Sequence, residues 1–177
     1  MSHRSPFTPA LLAGLILVVS AGRFTAGAQK ASAKPGAKRA AAKAPPASAS
    51  IDGSKMFSVT CAACHQLTGE GLEEKYPPLV GSEWVTGSDA RMVRIILQGL
   101  SGPVDVAGQA YDGAMPAWGG VLKDPEIAAI ATYVRSAWGN KAAPITAATV
   151  AAIRNATSSR KTPWTAPEIA QIPPFVK

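Results

Sequence analysis

Cys61-Ala62-Ala63-Cys64-His65 is the stretch on which the reading of the rest of the chain depends. It holds both cysteines of the 177-residue sequence and one of its two histidines, the other being His3 near the N-terminus. Residues three apart lie on one face of a helix, so the two thiols share a face and the imidazole follows directly behind them. That spacing lets both thiols reach two vinyl groups of one porphyrin while the next side chain offers a nitrogen to its iron. Cys-x-x-Cys-His is the attachment sequence of a c-type haem. Two other uses of such cysteines compete. A redox-active Cys-x-x-Cys pair opens a helix after a buried strand, whereas Gly53-Ser54-Lys55-Met56-Phe57 reads as helix. A structural zinc ion takes four Cys or His ligands; beyond its leader this chain has three, so zinc needs a carboxylate or a second chain. The expected cofactor is one haem c, covalently attached through Cys61 and Cys64, with His65 on the iron.

Upstream, His3 and Arg4 precede an apolar run from Ala10 to Ser20, and Ala26-Gly27-Ala28 follows. A charged start, a short apolar stretch and an Ala-x-Ala site read as a secretory signal peptide over residues 1–28, cut after Ala28. The run falls short of the ~20 apolar residues that a membrane helix wants, and an uncleaved anchor is the alternative. Export suits haem attachment, which takes place outside the bacterial cytoplasm. No cysteine near the cut offers a lipid attachment point. Residues 29–50 are almost all Ala, Lys, Pro, Ser and Gly. With no large apolar side chain to bury, this linker is expected to be disordered. It carries five basic residues and no acid, and serves either as a plain spacer or as a tether to an anionic membrane surface or an acidic partner.

From Ile51 to Asn140 six basic residues face ten acidic ones, and from Lys141 onward five face one. The net charge of +7 therefore belongs to the flanks, and nucleic-acid binding is not inferred from it.

Within 51–140, Asp52 or Ser54 caps a first helix that carries Met56, Phe57, Val59 and Thr60 into Cys61. A loop from Gln66 to Tyr76 follows, and Tyr76-Pro77-Pro78-Leu79 is held extended by its prolines. Ser88 caps a helix from Asp89 to Gln98, with Val93, Ile96 and Leu97 inward and Gly99 as the stop. Val104-Asp105-Val106 and Gln109-Ala110-Tyr111 flank Ala107-Gly108 as a small hairpin. The last core helix is capped by Asp124, has Pro125 at its first position, carries a stripe of Ile127, Ile130, Val134 and Trp138, and ends at Gly139. The extension from residue 141 to 177 contains a helix from Thr146 to Thr157 with Val150 and Ile153 inward, and capping-box spacing in Thr165-Ala166-Pro167-Glu168. Trp164, Ile169, Ile172 and Phe175 are too apolar for a simple disordered end. They either fold back on the core or dock a partner.

Over Ile51 to Asn140 the sequence resembles the class I monohaem cytochromes c. Gly53 and Phe57 match the glycine and aromatic of that family's N-terminal helix, and Ile130 with Tyr133 match the apolar-aromatic pair of its C-terminal helix. The strongest parts are the Cys61–His65 motif, Pro77-Pro78-Leu79 and Met115-Pro116. More narrowly, Tyr76 to Trp84, the hairpin and Ala114-Met115-Pro116-Ala117-Trp118 are similar to cytochrome subunits that serve periplasmic quinoprotein dehydrogenases and to cytochrome modules of copper nitrite reductases. The resemblance implies a mostly α cytochrome c fold: three main helices around one covalently bound haem, a small β-hairpin and, here, a helical C-terminal extension. It implies that two of the helices cross nearly at right angles, the glycine allowing close approach, and that the Pro77 carbonyl accepts the proton of the second imidazole nitrogen of His65.

No second histidine follows the leader, so a thioether is the remaining soft donor for the sixth position. Met56 sits too close to Cys61 on the proximal helix, and Met92 is better explained by core packing. Met115, in a loop between Gly113 and Pro116, has enough chain to pass around a porphyrin, and the family places its axial methionine in the same Met-Pro context. Trp84, Trp118, Arg91 and Arg94 serve either the haem propionates or ordinary core and surface roles.

With both axial positions filled, the expected function is that of a periplasmic one-electron carrier, not an enzyme. It would work between a dehydrogenase or other donor and a terminal oxidase or reductase, free or as the cytochrome subunit of an oxidoreductase complex. If Met115 does not bind, a peroxidase-like haem enzyme or a gas or ligand sensor becomes the better reading.

Overall fold

The computed structural model describes residues 50–173. The expected leader, the linker up to residue 49, and Phe175 lie outside the described residues. Among the described residues no helix is long and apolar enough to cross a membrane.

The first helix, α1 (Gly53–Thr60), starts where expected, because Asp52 Oδ1 accepts the Lys55 N–H at 3.1 Å. It passes through Cys61 into α2 (Ala62–His65). A loop leads to α3 (Glu83–Thr86), a single turn not anticipated from sequence, capped by Ser82 Oγ. Its four residues are too few to show a helical period. Helix α4 (Asp89–Gln98) has the expected Ser88 cap, and Gly99 stops it at φ +82. Its inward face buries Met92, as core packing implied, and is wider than anticipated, also burying Ala90 and Ile95.

Strands β1 (Leu100–Val106) and β2 (Gln109–Met115) pair antiparallel from Leu100↔Met115 to Val106↔Gln109. Ala107 and Gly108 both have positive φ, +50 and +80, which closes the hairpin through a turn of matching twist. The ribbon is longer than the expected three-residue arms. Gly102, Pro103 and Gly113 read as breakers, but both strands are edges, where a proline needs no ladder partner for its missing N–H. As a result Met115 is the last residue of a strand rather than part of a loop.

Helix α5 (Asp124–Ser136) starts one residue earlier than expected. Lys123 is the cap position, its N–H held by Glu126 Oε2 at 2.7 Å, and Asp124 is already helical. The helix also ends earlier: Ala137 turns extended, and Trp138, at φ +53, lies beyond it. Trp138 is carried out of the helix to pack its ring edge-on against Phe57 and Tyr133, at 5.2 and 5.4 Å between centroids. Helix α1 lies against α5 at backbone distance, since a Cβ on Gly53 would overlap the Ala129 carbonyl. Phe57, buried at 1% exposure, sits between the two helices at 5.6 Å from Tyr133.

The extension adds α6 (Ala147–Ala156), capped by Thr146, and α7 (Ala166–Ala170), capped by Thr165. Val150 and Ile153 are fully buried, as the apolar spacing requires. Trp164, Ile169 and Ile172 fold back: Trp164 and Ile169 form a buried cluster with Ile95 of α4, and Ile172 packs on it. The described residues are mostly helical with one two-stranded antiparallel sheet.

Candidate haem site

The Cys-x-x-Cys-His stretch occupies the end of α1 and the single turn of α2. The His65 N–H bonds back to the Cys61 carbonyl at 3.0 Å, which brings Cys61, Cys64 and His65 into one helical turn. A helix, not a strand, leads into Cys61, so the architecture of a redox-active dithiol is not present here. The two thiols are not bonded to each other. Burial pushes the Cys61 thiol pKa up, the reverse of what an activated cysteine nucleophile needs. Among the described residues no group of three or more His, Cys, Asp and Glu side chains converges on a shared cation position.

His65 Nδ1 lies 3.0 Å from the Pro77 carbonyl. A carbonyl can only accept, so Nδ1 carries the proton and Nε2 keeps its lone pair. Burial lowers the imidazole pKa, with the carbonyl bond acting in the opposite direction, and the neutral tautomer is the ligating form. Two residues that sequence reading passed over make this contact possible. Gly71, at φ +70, lies so close to the carbonyls of Tyr76 and Pro77 that a Cβ would overlap the first and lie 2.7 Å from the second. Asn140 is 6% exposed; its amide donates to the carbonyls of Leu79 and Val134 at 3.0 and 2.9 Å and accepts the Gly81 N–H at 2.9 Å. It ties the strand of prolines to the end of α5. Gly71 had a faint signal in the run of glycines after His65; Asn140 had none, since its partners lie up to 61 residues away.

Cys61, Cys64, His65 and Met115 all line one cavity of about 400 Å³. Its walls are otherwise chiefly apolar, with Ile96, Trp118 and Ile130 among them. Its size is that of small-molecule and cofactor sites, and such sites are mostly apolar with a few placed polar groups. Two thiols, one neutral imidazole and a thioether in such walls form a donor set that suits a covalently held iron porphyrin. Met92 lines the same cavity from α4, at 7% exposure. Met56 packs against the core from α1.

The four residues weighed for propionates are placed differently from one another. Trp84 donates its indole N–H to the Asp105 carbonyl at 2.8 Å, fixing α3 to the hairpin. Arg91 donates to the carbonyls of Ile172 and Ala170, at 2.8 and 2.7 Å, and so holds the tail. Arg94 bonds back to Ala90 O, leaving its buried Nε without a partner among the described residues. Trp118 lines the cavity, its backbone N–H bonded to Ile96 O.

A family model described as cytochrome c oxidase, cbb3-type, subunit III matches residues 49–134. Two cytochromes c-552 of Thermus thermophilus are each 38% identical, over 96 and 93 residues, covering 52% and 50% of this chain and 64% and 70% of their own lengths. The cytochrome c subunit of the quinone alcohol dehydrogenase of Gluconacetobacter polyoxogenes is 35% identical over 105 residues, which is 58% of this chain but 22% of that subunit. This chain belongs to the cytochrome c family.

Proposed function

We propose, from that membership and from the four side chains that share the cavity, that this protein is a one-electron carrier. Cys61 and Cys64 would hold the haem through thioether bonds, and His65 and Met115 would ligate its iron. Bound haem c supplies the ferric–ferrous couple. The chain's own residues do the rest. His65 presents Nε2 in a fixed orientation because Pro77 retains the proton on Nδ1; Met115 offers a soft sulfur that favours the ferrous state; and the apolar walls keep water from the metal. With His65 and Met115 both on the iron, no site would be left for a substrate, and the chemistry would be outer-sphere.

The partners in this reading are redox proteins: a dehydrogenase or other donor on one side, a terminal oxidase or reductase on the other. Relatives named as subunits of alcohol and gluconate dehydrogenases and of cbb3-type oxidases support it. Export to the periplasm by the expected leader belongs to the same reading.

The observation that carries it is the convergence of Cys61, Cys64, His65 and Met115 on one apolar cavity. The test is the optical spectrum of exported, haem-loaded protein beside Met115→Ala and Met92→Leu. Carrier function requires low-spin haem with the weak far-red iron–sulfur band, lost in Met115→Ala and kept in Met92→Leu. Loss only in Met92→Leu would move the ligand to α4. High-spin iron without the band in the parent would open the site and favour catalysis or ligand sensing.

A further inference from the structure

The extension beyond Lys141 lies outside the stretch that the family model covers, yet it reaches both flanks of Met115. On the strand side, Trp164 N–H donates to Gly99 O at 3.0 Å and Ser101 N–H donates to Trp164 O at 2.8 Å. Leu100, between those two residues, is the register partner of Met115. Gly99 also passes close to the Met115 segment, since a Cβ there would lie 2.5 Å from Met115 O and 3.2 Å from Ala117 N. Behind this layer Trp164, Ile95 and Ile169 form the buried cluster against which Leu100 and Met115 pack. On the other flank Arg154 of α6 donates to the carbonyls of Gly119 and Leu122 and pairs with Asp124 Oδ1 at 2.6 Å. These bonds pin the loop that runs from Pro116 to α5.

A two-stranded ribbon is marginal alone, and among the described residues the end that carries Met115 has no third strand except the single bridge at Trp164. We infer that the extension braces Met115, with Trp164 as its positioning residue, so that loosening the tail is linked to release of the thioether and to entry of an external ligand. The inference rests on the proposed ligation by Met115. Its arithmetic is that of a minor open state: a competing ligand binds with its intrinsic affinity reduced by the fraction of molecules whose sulfur has left. Weakening the brace raises that fraction and therefore the apparent affinity.

The experiment titrates imidazole, a small neutral nitrogen ligand, into the ferric full-length holoprotein and follows the far-red band. Parent, Trp164→Ala, Arg91→Ala and Met115→Ala are compared, with reduction potentials measured alongside. Trp164→Ala should bind imidazole about tenfold more tightly than the parent, a difference of about 1.4 kcal/mol. Arg91→Ala, which removes the two bonds from Arg91 to the tail and leaves those of Gln98, should shift affinity in the same direction by a smaller factor. Arg91→Ala decides the matter if Trp164→Ala does not accumulate as holoprotein. Affinities within twofold of the parent for the variants that fold, even with a lowered unfolding midpoint, would overturn the brace and leave the extension a stabilising element only. A parent that lacks the far-red band and binds imidazole as tightly as Met115→Ala would overturn ligation by Met115 itself, and the inference with it.

Discussion

The Nδ1 atom of His65 lies 3.0 Å from the carbonyl oxygen of Pro77, and Gly71 stands beside that carbonyl where a side chain would not fit. The contact determines the ring's tautomer and raises the basicity of the nitrogen left for iron. A more basic ligand stabilises the ferric state. Gly71→Ala, strained at φ +70 and overlapping Tyr76 O, should push the Pro77 carbonyl off His65 and raise the reduction potential. A loss of about 1 kcal/mol corresponds to roughly 40 mV for one electron. Potentiometry of the holoprotein checks it, and an unchanged or lower potential would show that the carbonyl does not tune the imidazole.

Asn140 should be worth more to stability than its single amide suggests. Asn140→Ala leaves the buried carbonyls of Leu79 and Val134 and the Gly81 N–H without their partner, at a cost of about 2–3 kcal/mol. Asn140→Asp retains the acceptor for Gly81 but sets a carboxylate against two carbonyls, so at neutral pH it should be no milder than alanine. Guanidinium denaturation of holoprotein gives both values. A cost near zero for alanine would mean that the proline segment holds itself.

Gly53→Ala tests the contact between α1 and α5. The added methyl overlaps the Ala129 carbonyl, and rigid backbone on both sides leaves no flexible side chain to give way. The expected destabilisation is about 1–3 kcal/mol. Thermal unfolding checks it, and a neutral result would imply that the helices can separate slightly without loss.

The four side chains that line the cavity were singled out on near-local grounds: two thiols and an imidazole within five residues, and a methionine in the Met-Pro context of the family that the sequence resembles. The caps at Asp52, Ser88 and Thr165 were legible for the same reason, since a cap is satisfied within three residues. What escaped was decided at a distance. Trp138 continues the apolar period of α5 on paper, but its ring has a better place against Phe57, so the helix stops short of it. The hairpin runs on through Gly102 and Pro103 because, among the described residues, no strand pairs with the outer edge there to demand their hydrogen bonds. Arg91 reads as a surface or propionate cation until the tail's carbonyls are seen in front of it.

Glu168 gives the tail a pH dependence with a definite sign. Its carboxylate pKa is lowered, first by the Thr165 N–H, then by Arg160 and the Thr165 hydroxyl. A carboxylate whose folded pKa lies below its unfolded value stabilises the fold fully above the unfolded value, about 4.3, and ceases to do so as pH falls through the folded one. Glu168 closes the cap of α7 and holds Arg160, whose guanidinium stacks 3.6 Å from the Trp164 ring centroid. At pH 7, Glu168→Gln should therefore lower the hydrogen-exchange protection of the Ile169 amide and of the Ser101 amide, which donates to Trp164. The difference from the parent should shrink as pH drops below about 4 and the parent's own carboxylate becomes protonated. Protection factors, which correct for the intrinsic pH dependence of exchange, are the measurement. A gap that persists undiminished in acid would assign the effect to the shape of glutamine rather than to the lost charge. No gap at pH 7 would show that the packing of Trp164 and Ile169 holds the tail without its cap.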